Sequence, residues 1–330
     1  MFEKEMKTAQ QSVMEAMRIC RTIQKELTQN VAITKSDKSP VTIADFTAQA
    51  IICKMLSISF PNIPIVGEEH SDALRKPEHH EILEKALSYI EKDPSISRLL
   101  NKDNLFECID LGGCEPNGNL FWTLDPVDGT KGFLRNEQFA VALALIAEGD
   151  VKLGVLGCPN LILPNQSSSQ GYLIYAEKGN GTFIMNVETG ETYKTSISTE
   201  INPEKMRFVE SYESSHGDMD MQLQIARTLK LEGDPVRMDS QVKYGVLSAG
   251  HAEIYLRIPN PKTPDYKEKI WDHAAGSLIV EEAGGLVTDI YGKRLDFNMG
   301  KTLKSNSGIL AAVPAIHGRV IDTIRELSSK

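Results

Sequence analysis

"WTLDPVDGTKGF", Trp122–Phe133, places two aspartates three residues apart on one bend. The apolar run "LFWTL" leads into Asp125, so a strand is expected to end at that carboxylate. Pro126 fixes its own φ and keeps Asp125 extended, while Gly129 lets the backbone turn without a Cβ clash. The bend is therefore stiff, and two like charges held on it raise each other's pKa unless a cation lies between them. Oxygen ligands with no histidine or cysteine beside them favour magnesium or manganese over zinc. Asp-Pro and Asp-Gly are also common turn dipeptides, so the stretch alone is compatible with a plain loop.

Downstream of the bend, "QFAVALALIAEGDVKLGVLGCP" reads as two apolar strands around a Glu-Gly-Asp turn. "GYLIYAEKGNGTFIMNVETGETYKT" continues as strand, Gly-rich turn, strand, so antiparallel sheet is expected here. Upstream, Met6, Ala9, Val13, Met17, Cys20 and Leu27 give residues 4–28 a helical apolar face, and the polar "TKSDKSP" ends that helix by Pro40. "VTIADFTAQAIICKML" has Thr42 three residues before Asp45, a variant capping box that predicts a helix stopping before Pro61. "NIPIVGEEH" is a short strand entering an acidic turn, and residues 72–104 read as helix plus surface connection. Beyond about residue 200 strands and helices alternate: "MRFVES", "MDMQLQIARTLKL", "PVRMDS", a helix near 241–250, and "AEIYLRIP". "WDHAAGSLIVEEAGG" sets an aspartate at a helix start and two glycines past its end, and the strand "GILAAVP" and a helix close the chain. Two lobes sharing an interface are expected, residues 1–200 and 201–330.

Of the 330 residues, 41% are hydrophobic and 25% charged, which is ordinary globular usage. The longest apolar run, Ala140–Ala147, falls well short of a membrane span, and "MFEKEMKTAQ" lacks the apolar stretch of a secretory signal. Five cysteines, at 20, 53, 108, 114 and 158, form no CxxC pair. They read as reduced thiols in a cytoplasmic protein, with buried or idle thiols favoured over a Cys108–Cys114 pair formed on oxidation. A net charge of −9 argues against a nucleic-acid polymer as partner, because that binding needs basic side chains on the phosphates. No membrane and no protein partner is indicated either. A phosphate ligand would have to be attracted by something other than net charge.

Four further acids stand apart from the bend at three places: Glu68 and Glu69 in "VGEEH", Asp272 in "WDHAAG", and Asp45. Each has a structural explanation by itself, as a solvated turn, an N-cap and a first-turn acid respectively. Together they share a location, at strand ends or helix starts, where open α/β sheets assemble their sites.

"GEEHS" (67–71), "DPVDGTKGF" (125–133) and "WDHAAG" (271–276) together resemble the magnesium-dependent, lithium-sensitive phosphatases that include inositol monophosphatase and fructose bisphosphatase. Within them, "KSDKSPVTIAD", "TKGFLRNEQFAVALALI", "MDSQVKYGVLSAGHAEIYLR" and "YKEKIWDHAAGSLIVEEAGG" most resemble the 3'(2'),5'-bisphosphate nucleotidases. The matching segments run from about residue 35 to 290. The resemblance implies an α/β (α+β) fold, a layered αβαβα sandwich. It implies a metal set of Glu68, Asp125, the Val127 carbonyl, Asp128 and Asp272, holding two or three Mg2+ ions with Asp125 bridging two of them. Asp45 and the Thr130 hydroxyl would stand beside the attacking water, with the amides of Gly129 and Thr130 donating to the phosphate. Ser240, Lys243 and Arg257 would contact the second phosphate or the nucleotide, and His216 in "ESSHGD" would lie close to the same pocket. Read as residues alone, these are equally a helix-start serine, a surface lysine and an arginine after a strand.

The expected reaction is release of the 3'-phosphate of 3'-phosphoadenosine 5'-phosphate to give AMP, with the sulfated precursor as a further substrate. Metals bound by the acids would draw the anionic substrate to an acidic protein. An inositol polyphosphate 1-phosphatase is the alternative enzyme, since both substrates carry a phosphate pair on a ring, and a non-catalytic nucleotide sensor is the alternative class. Three positions depart from the nucleotidase pattern: Asn136 follows "FLR" where glycine is usual, and Ala249 and His251 stand where Arg and Asp are more frequent.

Overall fold

The computed structural model describes residues 2–26, 32–34, 40–116, 119–164, 171–212, 217–263 and 265–329. The chain opens with α1 (Glu3–Lys25), a small ladder of β1 (Ala32–Thr34) and β2 (Pro40–Thr42), and α2 (Ile43–Ser59). A short strand, β3 (Ile65–Gly67), is followed by α3 (His80–Lys92) and α4 (Leu105–Asp110). Next come β4 (Leu120–Asp128), α5 (Thr130–Leu134), β5 (Ala140–Ala147), β6 (Asp150–Cys158), β7 (Tyr172–Glu177), β8 (Gly181–Asn186) and β9 (Thr192–Thr195). The remainder holds β10 (Val209–Glu210), α6 (Met219–Leu229), β11 (Val236–Arg237), α7 (Val242–Ser248) and β12 (Ile254–Arg257). It ends with α8 (Ala274–Glu282), β13 (Leu286–Thr288), β14 (Ile309–Ala312) and α9 (Pro314–Ser328).

Strands β3 to β9 lie side by side in chain order as a seven-stranded sheet, parallel at β3–β4 and antiparallel beyond. Helices α1 and α2 cover one face, and α7 and α8 the other. A second sheet, ordered β12-β14-β13, packs on the far side of α7 and α8, and α6 and α9 close its outer face. The layers are the αβαβα sandwich that the resemblance implies.

The sequence of β5, "AVALALIA", explains how two layers meet one strand. Val141, Leu143 and Leu145 point into the core under α1 and α2, and Ala140, Ala142 and Ala144 face α8. Small side chains on that second face let α8 lie close to the sheet, and each large one on the first contributes about 1.5–3 kcal/mol by burial. β14 divides in the same way: Leu310 and Ala312 face α9, Ile309 and Ala311 face α8.

Several expected local features are present. Thr42 caps α2, accepting from the Ala44 amide at 3.1 Å, while Asp45 accepts from the Thr42 amide at 2.7 Å. The β5–β6 turn has Glu148 and Gly149 both left-handed, at φ 54° and 75°, the geometry of a two-residue hairpin loop. Four strands were not expected. β9, "TYKT", is a polar edge strand, β13 spans three residues with Leu286 exposed, and β1 and β2 pair where the sequence reads as polar connection. The cap reading of Asp272 is corrected: the N-cap of α8 is His273, so Asp272 precedes the cap position. Among the described residues, no helix is long and apolar enough to cross a membrane.

Candidate active site

The bend that ends β4 contains a β-bulge. Asp125 pairs with Ala142 and Asp128 with Ala140, so one extra residue is accommodated between the two aspartates. Pro126, which has no N–H to give a ladder, occupies this irregularity. The Val127 amide donates to Asp125 Oδ1 at 3.1 Å, and Thr130 Oγ donates to the Val127 carbonyl at 3.2 Å. Gly129 has φ 87°, and a Cβ built there would lie 2.8 Å from the Ser240 Cβ. Ser240 is itself left-handed at φ 67°, an uncommon state for a residue with a side chain. The bend is thus pressed directly against the segment that opens α7.

The other acids arrive on separate elements. The Glu68 amide continues the β3–β4 ladder by donating to the Leu124 carbonyl at 3.2 Å. Gln49, one turn along α2 from Asp45, accepts from the Glu69 amide at 3.0 Å and donates to the Glu69 and Ile109 carbonyls at 2.6 and 2.9 Å. Asp45 Oδ2 accepts from the Thr42 amide and hydroxyl, which fixes its carboxylate at the start of α2. On the C-terminal side, the Gln241 amide donates to Asp128 Oδ2 at 2.5 Å, and the Gln241 side chain donates to the Trp271 carbonyl at 2.9 Å.

These acids act on one another. Burial pushes the Asp125 carboxyl well above the usual range, and the charges of Glu68, Asp128, Asp272 and Asp45 add to that push. Burial likewise raises Asp272, reinforced by Asp128 and Glu68 and opposed by Arg257. Asp128 is raised by burial to about 6, with Lys243, the Gln241 amide and Arg257 working against the rise. Five acids from α2, the end of β3, the bend and the approach to α8 therefore form one cluster, buried at Asp45 and Asp125 and half-buried at the other three, in which the neighbouring charges disfavour the ionised forms of Asp125, Asp128 and Asp272. Hard oxygen donors in that state fit a divalent cation such as magnesium. Glu268, Asp272 and His273 also bring ligand-type atoms within 4.8 Å of one another. Glu268 in that trio is already committed: its Oε1 lies 2.8 Å from Arg257 Nε, and its Oε2 3.2 Å from His273 Nε2. Asp272, common to both groupings, is the member left to face the other acids.

Two cations border the cluster, Lys243 buried and Arg257 half-buried. Lys243 Nζ donates to Ser211 Oγ at 3.1 Å and lies over the Tyr255 ring, and burial lowers its pKa to about 8 despite the charge of Asp128. Burial opposes the charge on Arg257, but Glu268, Tyr255, Tyr266 and Asp272 together outweigh it and hold the guanidinium well above its ordinary range. Burial also disfavours the Glu268 carboxylate, and Arg257 with His273 holds its pKa down to about 2. A hydrogen-bonded line continues from Glu268 through His273 to the Tyr244 hydroxyl, 2.8 Å from His273 Nδ1. Beside Arg257 opens a cavity of about 240 Å³ lined by Asn260, Thr263, Tyr266, Lys267 and Asn306.

Of the residues expected at the site, Asp45, Glu68, Asp125, Asp128 and Asp272 meet electrostatically. Val127, Gly129, Thr130 and Ser240 lie at the bend or against it, and Lys243 and Arg257 border it. His216 lies outside the described residues. The sequence reading passed over Gln49, Gln241 and Glu268. Gln241 and Glu268 stand inside the quoted stretches "MDSQVKYG" and "YKEKIWD", but a glutamine before a helix and an acid among lysines carry no signal of their own. One departure is explained: Asn136 adopts φ 60°, the conformation in which glycine is favoured and asparagine is the best substitute.

An αβαβα sandwich with carboxylates converging between its layers is the architecture of a class of metal-dependent phosphatases. The chain belongs to the inositol monophosphatase family, whose sequence profile matches residues 2–329. The 3'(2'),5'-bisphosphate nucleotidase of Schizosaccharomyces pombe is 41% identical, over 91% of this chain and 87% of that protein. A protein of the same name from Oryza sativa is 41% identical over 98% and 96% respectively. Among solved structures, the extragenic suppressor protein suhB from Bartonella henselae superposes with a TM-score of 0.67 at 22% identity, covering 98% of this chain and 99% of that one.

Proposed function

We propose that this chain is a magnesium-dependent phosphohydrolase that converts 3'-phosphoadenosine 5'-phosphate and water to AMP and inorganic phosphate. Its relatives carry the nucleotidase name at 41% identity over almost their whole length, and members of the family depend on metal. The observation that carries the reading is the opposition across one seam of five clustered acids and two cations, buried Lys243 and half-buried Arg257. In this reading residues 1–200 supply most of the acids, and residues 201–330 supply Asp272 and the cations.

Glu68, Asp125, the Val127 carbonyl, Asp128 and Asp272 would hold two or three Mg2+ ions. Bound there, magnesium neutralises charge on the transferring phosphoryl group and lowers the pKa of a coordinated water. Asp45 and Thr130 orient the attacking water, whose oxygen forms the new bond to phosphorus as the bond to the ribose 3'-oxygen breaks and that oxygen takes up a proton. The amides of Gly129 and Thr130 donate to the transferring phosphate. Ser240, Lys243, Arg257 and His216 hold the nucleotide and the phosphate that is not cleaved, the chemistry a buried ammonium and a guanidinium suit. The sulfated precursor presents the same 3'-phosphate and is accepted as well. A cytoplasmic setting, where thiols stay reduced, belongs to the same reading.

Phosphate released by the magnesium-loaded protein from 3'-phosphoadenosine 5'-phosphate and from inositol 1,4-bisphosphate, with and without millimolar lithium, tests it. Lithium-sensitive release from the nucleotide supports the assignment. Release from the inositol compound alone replaces the substrate but keeps the reaction, and tight nucleotide binding without release makes the chain a sensor.

A further inference from the structure

Gln241 is 2% exposed, and its amide and both side-chain polar atoms are hydrogen-bonded. Its backbone amide donates to Asp128 Oδ2 at 2.5 Å. Its side-chain Nε2 donates to the Trp271 carbonyl at 2.9 Å, the carbonyl of the peptide that leads into Asp272. Its Oε1 accepts from the Gly276 amide at 3.1 Å, one of the first-turn donors of α8 that no cap side chain satisfies. One residue thus grips the carboxylate of Asp128 with its main chain and the backbone flanking Asp272 with its side chain. Packing alone does not call for this, since methionine has nearly the same shape and would fill the space without polar atoms. The two aspartates repel each other, and a fixed tie keeps them together when no cation does so.

We propose that Gln241 is a positioning residue that sets metal affinity by holding Asp128 and Asp272 at a fixed separation across the seam. The inference rests on the metal assignment above and adds the device that keeps the two ligands in register before metal arrives. Replacing the side chain leaves the amide of residue 241 in place but releases its Cα from Trp271 and α8, so both aspartates gain freedom that metal binding must then remove.

The comparison that tests this is Gln241→Met beside Thr182→Val. Thr182 is fully buried and also tethers α8, donating to the Ile279 carbonyl at 2.6 Å, but touches neither aspartate. Mn2+ alone is titrated into each metal-free protein by calorimetry, with thermal unfolding recorded in parallel. Gln241→Met is expected to weaken Mn2+ binding roughly tenfold or more, the usual cost of losing a partner that orients a ligand. Thr182→Val is expected to lose comparable stability and to keep wild-type Mn2+ affinity. The metal concentration for half-maximal phosphate release should rise with the dissociation constant, while KM for the nucleotide at saturating metal stays within about twofold. Unchanged Mn2+ affinity in Gln241→Met, or an equal loss in Thr182→Val, overturns the proposal. Should Gln241→Met fail to fold, Gln241→Asn serves, because it keeps both polar ends but is too short to reach both partners. Wild-type protein that binds no Mn2+ would overturn the metal assignment, an outcome distinct from unaltered affinity in the variant.

Discussion

The acid cluster is assembled locally on one side and by long-range contacts on the other. Asp125 and Asp128 owe their relation to residues between and beside them: a proline, a bulge, a left-handed glycine and a threonine that closes back on Val127. Asp272 comes from the far end of the chain, on no regular element, and reaches the same place through Gln241, α7 and α8. A site built this way is rigid where its geometry is encoded in five or six consecutive residues. It is adjustable where the layers of the sandwich meet.

The comparison breaks most sharply at the residue common to both halves. Asp128 belongs to the bend yet accepts the hydrogen bond from Gln241. Asp128→Asn keeps the shape and the acceptor oxygen but removes a charge, so the fold should persist and phosphate release should fall by more than about 100-fold, beyond the cost of losing an orienting partner. Near-normal turnover at saturating magnesium would remove Asp128 from the metal set. On the C-terminal side Lys243→Ala should act on binding. Loss of a charge-assisted contact that is equal in ground and transition states raises KM about tenfold and leaves kcat within about twofold. An unchanged KM would take Lys243 off the substrate.

The local half also makes a prediction about stability. Gly129→Ala forces a side chain into φ 87° and against Ser240, so it should cost more than the roughly 1–2 kcal/mol of the left-handed conformation alone. Thermal unfolding of the metal-free protein measures this, and a wild-type midpoint would mean that the bend relaxes away from α7.

What was legible in the sequence follows the same division. The bend, the α2 capping box and the apolar run of β5 could be read because their causes are contiguous in the chain. The acids at 45, 68 and 272 stood out by their places at strand ends and helix starts and were joined to the bend through motif resemblance; their physical reason for lying together is tertiary. Asp272 looked like a helix cap until the helix proved to begin after His273. Gln241 and Glu268 were invisible because a glutamine amide or a glutamate carboxylate acquires a role only from the atoms it meets, here the Trp271 carbonyl and Arg257.

The smallest expected effect is a shift with pH. In the folded, metal-free protein Asp128 has a pKa raised to about 6 from 3.8, so between those values the folded state holds a proton that the unfolded state has lost. Its contribution therefore favours folding at low pH and is lost as pH rises through about 6, and Asp125 and Asp272 are displaced in the same direction. A bound cation takes the place of those protons, so magnesium should stabilise the protein more at about pH 7.5 than at about pH 5.5, by a few degrees in Tm. Glu268 runs the opposite way, its stabilisation present above 4.5 and lost only as pH falls through about 2, outside this window. Buried His273 and His317, both lowered, also shift stability within the window, so the informative quantity is the increment in Tm on adding metal at each pH. Asp128→Asn should shrink that increment and flatten its pH dependence, and an increment identical at both pH values would mean that metal and protons do not compete for these carboxylates.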